Sequence, residues 1–294
     1  MTDPRMLEQI KAGQGFIAAL DQSGGSTPGA LKGYGVAEDA YAGDDEMFAA
    51  IHAMRTRIIT SPCFNGDKVI GAILFEKTMD GEVDGVPVPE ALWARGVVPF
   101  LKVDKGLENE ADGVKLMKPM PELDALCARA VKKGMFGTKM RSVIERASAS
   151  GIAAIVKQQF AIAAQISRHG LMPIIEPEVS IKSPERAACD DILRDEILQA
   201  LDAMGEGQVM LKLTLPVEAN LFAPLVDHPR VLRVVALSGG FSREEACRQL
   251  AQNRGMIASF SRALLSDLRH QMSDQEFDGA LGTAIDDIHQ ASVA

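Results

Sequence analysis

Charged side chains interrupt or terminate several apolar runs of this 294-residue chain, where strands buried on both faces would carry none. Lys102 and Asp104 close the run that begins at Val97, Lys139 and Arg141 the one from Phe136, and Glu176 and Glu178 the one from Met172. Lys212 lies inside Val209-Met210-Leu211-Lys212-Leu213-Thr214, and Asp21 ends Phe16-Ile17-Ala18-Ala19-Leu20. Residues two apart on a strand share a face, so each pair points one way. A salt-bridge layer would account for any single pair. Five strands delivering Asp21, Lys102, Lys139, Glu176 and Lys212 to one volume favour a reactive site.

The chemistry follows from the groups. Lys212 has apolar neighbours, and Lys139 and Arg141 are expected nearby, so burial and like charge should disfavour its ammonium form. A neutral amine attacks a carbonyl carbon and forms an imine. The protonated imine is an electron sink, so the adjacent carbon–carbon bond can break. Glu176 is the candidate acid and base for dehydrating the carbinolamine, and Asp21 or Glu178 for deprotonating a substrate hydroxyl. Lys139 would polarise oxygens in either step.

Two anion sites are expected beside it. Ser238-Gly239-Gly240 ends one run and Ser261-Arg262 follows another, which suits a phosphate held by backbone amides and a cation. Ser23-Gly24-Gly25-Ser26-Thr27 follows the first run, within expected reach of Lys102. Either glycine pair alone reads as an ordinary turn. Together they suggest a substrate phosphorylated at both ends.

The elements that must hold these residues alternate. Strand-like runs cover residues 15–21, 69–75, 97–104, 136–141, 172–178, 209–214, 231–238 and 257–261. Between them lie helical stripes, such as Ile152, Ile155, Val156, Phe160, Ala163 and Ile166 before Gly170. A second stripe holds Ile192, Leu193, Ile197, Leu198 and Leu201. Ser242 and Glu245 have capping-box spacing, and Phe277, Leu281, Ala284, Ile285 and Ile288 mark a last helix. Eight strands alternating with helices predict an α/β fold, a (β/α)8 TIM barrel, with extra terminal helices and residues 1–294 as a single domain. A doubly wound open sheet is the alternative, but no G-x-G-x-x-G follows the first strand. Residues 78–89 and 106–121, rich in Gly and Pro, are expected as long rim loops.

Composition narrows the class. With 47% hydrophobic and 24% charged residues the chain is globular rather than disordered. A net charge of −9 argues against nucleic acid or an anionic membrane as partner. No apolar run approaches the roughly 18–20 residues of a membrane span. The start, Met1-Thr2-Asp3-Pro4-Arg5, lacks a signal-peptide pattern. Cys63, Cys127, Cys189 and Cys247 are far apart, so reduced thiols in a cytoplasmic setting are expected. His52, His169, His228, His270 and His289 are scattered and end no strand, which argues against a metal site. Assembly with further copies of the chain stays open.

The runs, taken in order, resemble the bacterial branch of class I, Schiff-base-forming fructose-bisphosphate aldolase. The resemblance rests on residues 15–28, Phe100-Leu101-Lys102-Val103-Asp104-Lys105-Gly106, Gly137-Thr138-Lys139-Met140-Arg141, Pro173-Ile174-Ile175-Glu176-Pro177-Glu178, Leu211-Lys212 and Leu237-Ser238-Gly239-Gly240. It implies a metal-independent, cofactor-free lyase that cleaves fructose 1,6-bisphosphate to dihydroxyacetone phosphate and glyceraldehyde 3-phosphate. Lys212 is then the imine-forming lysine and Glu176 the carbinolamine acid and base. Asp21 serves carbon–carbon cleavage with Lys139 in support, and Arg141 and Glu178 tune the site. Ser238, Gly239, Gly240 and Arg262 take the phosphate on the dihydroxyacetone side, and Ser23, Ser26 and Lys102 the other. Tagatose 1,6-bisphosphate as the substrate, or a non-catalytic phosphosugar-binding scaffold, are the alternatives. The chain also departs from animal members. They carry an arginine where a gapless count puts Ala30, for which Lys32 could substitute, and a glycine where Ser261 stands. Their terminal tyrosine has no counterpart in Ser292-Val293-Ala294, which leaves the enamine proton donor unassigned.

Overall fold

The computed structural model describes residues 3–294; Met1 and Thr2, part of the amino-terminal stretch read above, lie outside the described residues. Eight strands pair in parallel in chain order: β1 (Phe16–Leu20), β2 (Val69–Leu74), β3 (Val98–Lys102), β4 (Gly137–Ile144), β5 (Met172–Val179), β6 (Val209–Thr214), β7 (Val231–Leu237) and β8 (Met256–Ala258). The amide of Ala19 donates to Phe260 O at 3.2 Å and brings the last strand back to the first. That nearly closed ring, with helices between successive strands, is the expected (β/α)8 barrel.

The helices are α1 (Pro4–Ala12), α2 (Thr27–Tyr34), α3 (Gly43–Thr60), α4 (Glu76–Asp80), α5 (Val88–Ala94), α6 (Leu123–Lys132), α7 (Ala149–Ser167), α8 (Arg186–Asp202), α9 (Ala223–Val226), α10 (Arg243–Leu250), α11 (Arg262–Leu265) and α12 (Asp274–Ser292). Their apolar stripes and the outward faces of the strands make one buried layer, including Ala18, Leu20, Leu74, Leu101, Met140 and Leu211. Ile152, Ile155, Val156, Ala163 and Ile166 of α7 are buried in it, as their spacing predicts.

A second buried cluster fills the barrel itself: Ile17, Ile73, Val98, Phe100, Phe136, Ile174, Met210, Val235 and Ile257, with Met6 and Ile10 of α1. Helix α1 is therefore the floor. Arg233 of β7 fastens it, donating from Nε to Ile10 O at 3.1 Å and from Nη2 to Gly13 O at 2.7 Å, where the helix end leaves carbonyls unpaired. Gly137 is forced by close approach. A Cβ there would lie 2.2 Å from Met172 O and 2.8 Å from the Phe100 ring, which packs edge-on against Phe136.

The period of two carries the apolar floor into a charged mouth. Two residues beyond Phe100 stands Lys102, beyond Ile174 stands Glu176, beyond Met210 stands Lys212, and beyond Ile17 come Ala19 and then Asp21.

Several expectations change. Residues 78–89 are not a loop: they run through the end of α4, a hairpin of Glu82–Val83 with Val86–Pro87, and the start of α5. Residues 106–121 fold back so that Val114–Lys115 pairs antiparallel with the end of β4. The last strand stops at Ala258 rather than 261. Only half of the Ser242 capping box forms, because Glu245 turns its carboxylate to Arg248 and Gln249; Ser273 and Glu276 make a complete one at α12.

Candidate active site

Where the strands end, a cavity of about 1190 Å³ opens at the barrel mouth. Its wall includes Asp21, Ser23, Ser26, Lys102, Lys139, Arg141, Glu176, Glu178, Lys212, Ser238, Gly239 and Arg262. Gly240 is the exception: it is not on the wall, and its missing Cβ makes room for Arg262, whose Nη2 would lie 3.2 Å from that atom.

At the base of the cavity four charged groups touch in sequence. Lys212 Nζ lies 3.2 Å from Glu176 Oε1, Lys139 Nζ lies 2.9 Å from Glu176 Oε2, and Lys139 Nζ lies 2.6 Å from Asp21 Oδ2. All are buried or nearly so. Lys212 is therefore not ringed by cations, as the expected nearness of Lys139 and Arg141 suggested; acids alternate with amines. Burying such charges is tolerable because each has an opposite partner in contact. Gln159 of α7 steadies the centre, its Oε1 accepting the Glu176 amide at 2.9 Å.

The protonation states follow from this arrangement. Burial alone would raise the Asp21 carboxyl, but the charges of Lys139, Lys212 and Lys102 outweigh it and hold the group far below the ordinary carboxylate range. Burial likewise opposes ionisation of Glu176, and Lys139 and Lys212 reverse that, leaving its pKa lowered. For Lys139, burial would favour the neutral amine; Asp21, Glu176 and Asp104 push its pKa above the usual lysine value. Lys139 is thus a fixed cation between two carboxylates.

The rim differs from expectation in two places. Lys102 does not reach toward Ser23 and Ser26; its Nζ turns back to Asp104, 2.8 Å from both Oδ1 and the main-chain oxygen. The Ser23-to-Ser26 segment is a 3-10 turn in which Ser26 Oγ bridges the amide and carbonyl of Ser23. Ala30 lies on the cavity wall, whereas Lys32 does not. Gly239 and Gly240 have φ of 60° and 119°, a left-handed path that a side chain would resist, and Ser238, Gly239 and Arg262 all line the cavity. Arg141 Nε donates to Glu178 Oε2 above the lysines.

With this mouth in view, the comparisons with known proteins are direct. A family model described as "Fructose-bisphosphate aldolase class-I" matches residues 8–230. The fructose-bisphosphate aldolase class 1 of Porphyromonas gingivalis is 55% identical over 288 residues, covering 98% of both chains. The chain belongs to the class I fructose-bisphosphate aldolases. Members are metal-independent lyases that act through a lysine Schiff base. The fold is shared more widely. A crystal structure of fructose-bisphosphate aldolase from Plasmodium falciparum, in a ternary complex with TRAP and a small-molecule inhibitor, superimposes with a TM-score of 0.81. It covers 98% of this chain and 93% of that one at 21% identity. The family-model match ends at residue 230, before the Ser238 and Arg262 segments of this aldolase, whereas the match to the Porphyromonas gingivalis relative spans 98% of the chain.

Part of the site carries no signal in the sequence. Asp104 reads there as a strand-end charge, and only the fold makes it the partner that holds Lys102. Gln22 and Arg55 stand out by neither type nor spacing. Gln22 lies one residue beyond a candidate acid, but its partners come from distant parts of the chain.

Proposed function

We propose that Lys212 forms the imine with the ketone carbon of fructose 1,6-bisphosphate. The contact series Lys212–Glu176–Lys139–Asp21 carries the reading. Glu176 Oε1 takes the proton that frees the Lys212 amine, and the amine adds to the carbonyl carbon. Glu176 then returns the proton to the departing hydroxyl, so one water leaves as the iminium forms. Asp21, kept ionised by Lys139, removes the proton from the hydroxyl on the far carbon of the bond to be broken. That oxygen becomes the aldehyde of glyceraldehyde 3-phosphate, and the electron pair of the broken carbon–carbon bond passes into the iminium to give an enamine. Protonation of the enamine carbon and addition of one water release dihydroxyacetone phosphate and restore Lys212.

Ser238, Gly239 and Arg262 would hold the phosphate on the ketone side, and Ser23, Ser26 and Lys102 the distal one, Lys102 exchanging its Asp104 contact for the phosphate. Arg141 and Glu178 would orient the hydroxyls between. Residues 1–294 would act as one catalytic domain in the cytoplasm.

Borohydride reduction with dihydroxyacetone phosphate tests the assignment. The expected result is a reduced adduct on the peptide that contains Lys212, and loss of more than about 99% of turnover in Lys212→Met with the fold retained. Turnover without that adduct, or an adduct on another lysine, would overturn it.

A further inference from the structure

Arg55 of α3 is only 1% exposed, yet no carboxylate lies within ion-pair distance of it among the described residues. A buried guanidinium without an acid is costly, so its hydrogen bonds indicate what retains it. Nη1 donates to Thr78 Oγ1 at 2.7 Å, and Nη2 to Gln22 O at 2.5 Å and Gln22 Oε1 at 3.3 Å. Burial draws its pKa down to about 10, opposed by the charge of Asp21, so it is still a cation at neutral pH. Arg55 grips the residue directly after Asp21 by both its backbone and its side chain.

The grip fixes the direction of the Gln22 amide. Its oxygen faces Arg55, so its nitrogen must point the other way. There Nε2 donates to Ser261 Oγ at 2.6 Å and to Ala19 O at 3.2 Å. Ser261 immediately precedes Arg262, and the contact crosses the junction of the first and last strands. β8 has only three residues, and Ala19 N–H to Phe260 O is the backbone bond that spans the junction. An amide and a hydroxyl thus join the segment after β1, which carries Asp21, to the start of α11, which carries Arg262.

We propose that Arg55, Gln22 and Ser261 form a positioning relay that sets the phosphate-binding Arg262 at a fixed place relative to Asp21. The inference rests on the reading of Arg262 as the ketone-side phosphate anchor and Asp21 as the cleavage base. Neither Gln22 nor Arg55 touches a reacting atom in that reading. Their effect passes through the distance between the two ends of the substrate, where misplacement by about 1 Å costs on the order of a hundredfold.

The test uses the intact protein and the variants Ser261→Ala, Gln22→Met and the double substitution, with fructose 1,6-bisphosphate as substrate and thermal unfolding as the check that each is folded. Each single variant is expected to raise KM about tenfold with kcat within about threefold of the parent, and the double variant no further than either single. Unchanged KM in the single variants, or independent multiplication of the two effects, would overturn the relay. Should Gln22→Met not fold, Ser261→Ala combined with Arg262→Ala decides: the serine effect vanishes in the arginine-free background if the relay acts through Arg262, and persists if it does not. Failure of the underlying reading would look different, because the unmodified protein would then yield no borohydride-trapped adduct on Lys212.

Discussion

Buried carboxyl groups in this chain are driven in opposite directions by what surrounds them. Asp21 and Glu176 are pulled down by lysines in contact. Asp190 of α8, fully buried, is pushed up by burial to about 6, with only the Val217 amide, 3.0 Å from Oδ2, and the charge of Arg186 against it. Its Oδ1 has no hydrogen-bond partner among the described residues. Because the folded value exceeds the ordinary 3.8, the native state binds the extra proton between about 4 and 6. This group's contribution to stability is therefore fully present below about 3.8 and is lost as pH rises through about 6. Asp190→Asn keeps an oxygen for the Val217 amide and removes the charge. Thermal unfolding of the variant should exceed wild type by a few degrees at pH 8 and by less at pH 5; a difference independent of pH would refute the assignment. Nothing in Cys189-Asp190-Asp191-Ile192 distinguishes the buried aspartate from its exposed neighbour; packing alone does that. The charges at the barrel mouth were legible because a strand end inside a barrel admits one direction, whereas a helix offers a full circle.

At the scale of elements, α1 and β7 share a duty remote from chemistry. Arg233 occupies two carbonyls at the end of the floor helix. Arg233→Leu leaves them unpaired and should cost about 2–3 kcal/mol in denaturant unfolding. The apolar layer of Phe100, Ile174 and Met210 separates that floor from the mouth, so kcat should stay within about twofold. A large fall in kcat at unchanged stability would mean that the floor is coupled to the site. The eight strands were readable because runs buried on both faces are apolar throughout. Residues 78–89 were misread because Gly81, Gly85, Pro87 and Pro89 punctuate a hairpin between two short helices as densely as they would a loop. The partial capping box at α10 failed for a local reason: Glu245 has Arg248 and Gln249 one turn on, and their side chains outcompete the backbone amide.

The whole molecule carries a net charge of −9, yet its cavity wall sets six cationic side chains, Lys102, Lys105, Lys139, Arg141, Lys212 and Arg262, against five carboxylates, Asp21, Glu76, Asp104, Glu176 and Glu178. A cleft focuses its local field whatever the global balance, which suits a doubly phosphorylated sugar. None of the five histidines lines the mouth. As a class I enzyme it should retain turnover within about twofold after exhaustive EDTA treatment; loss of activity restored by a divalent ion would contradict the family's chemistry. The order of the motifs along the chain gave away the ring, since each strand brings its residue to the same end. The junction between first and last strands was not legible, because the Gln22–Ser261 contact joins residues 239 apart in sequence.

The four groups at the base of the cavity have a consequence for how the cycle meets solvent. Two acids and two amines sum to zero, and up to carbon–carbon cleavage each hand-over in the proposed steps begins and ends within that set or on the sugar. In those steps hydrogen ions pass locally, and the single molecule of water released as the imine forms is what the bulk liquid must remove.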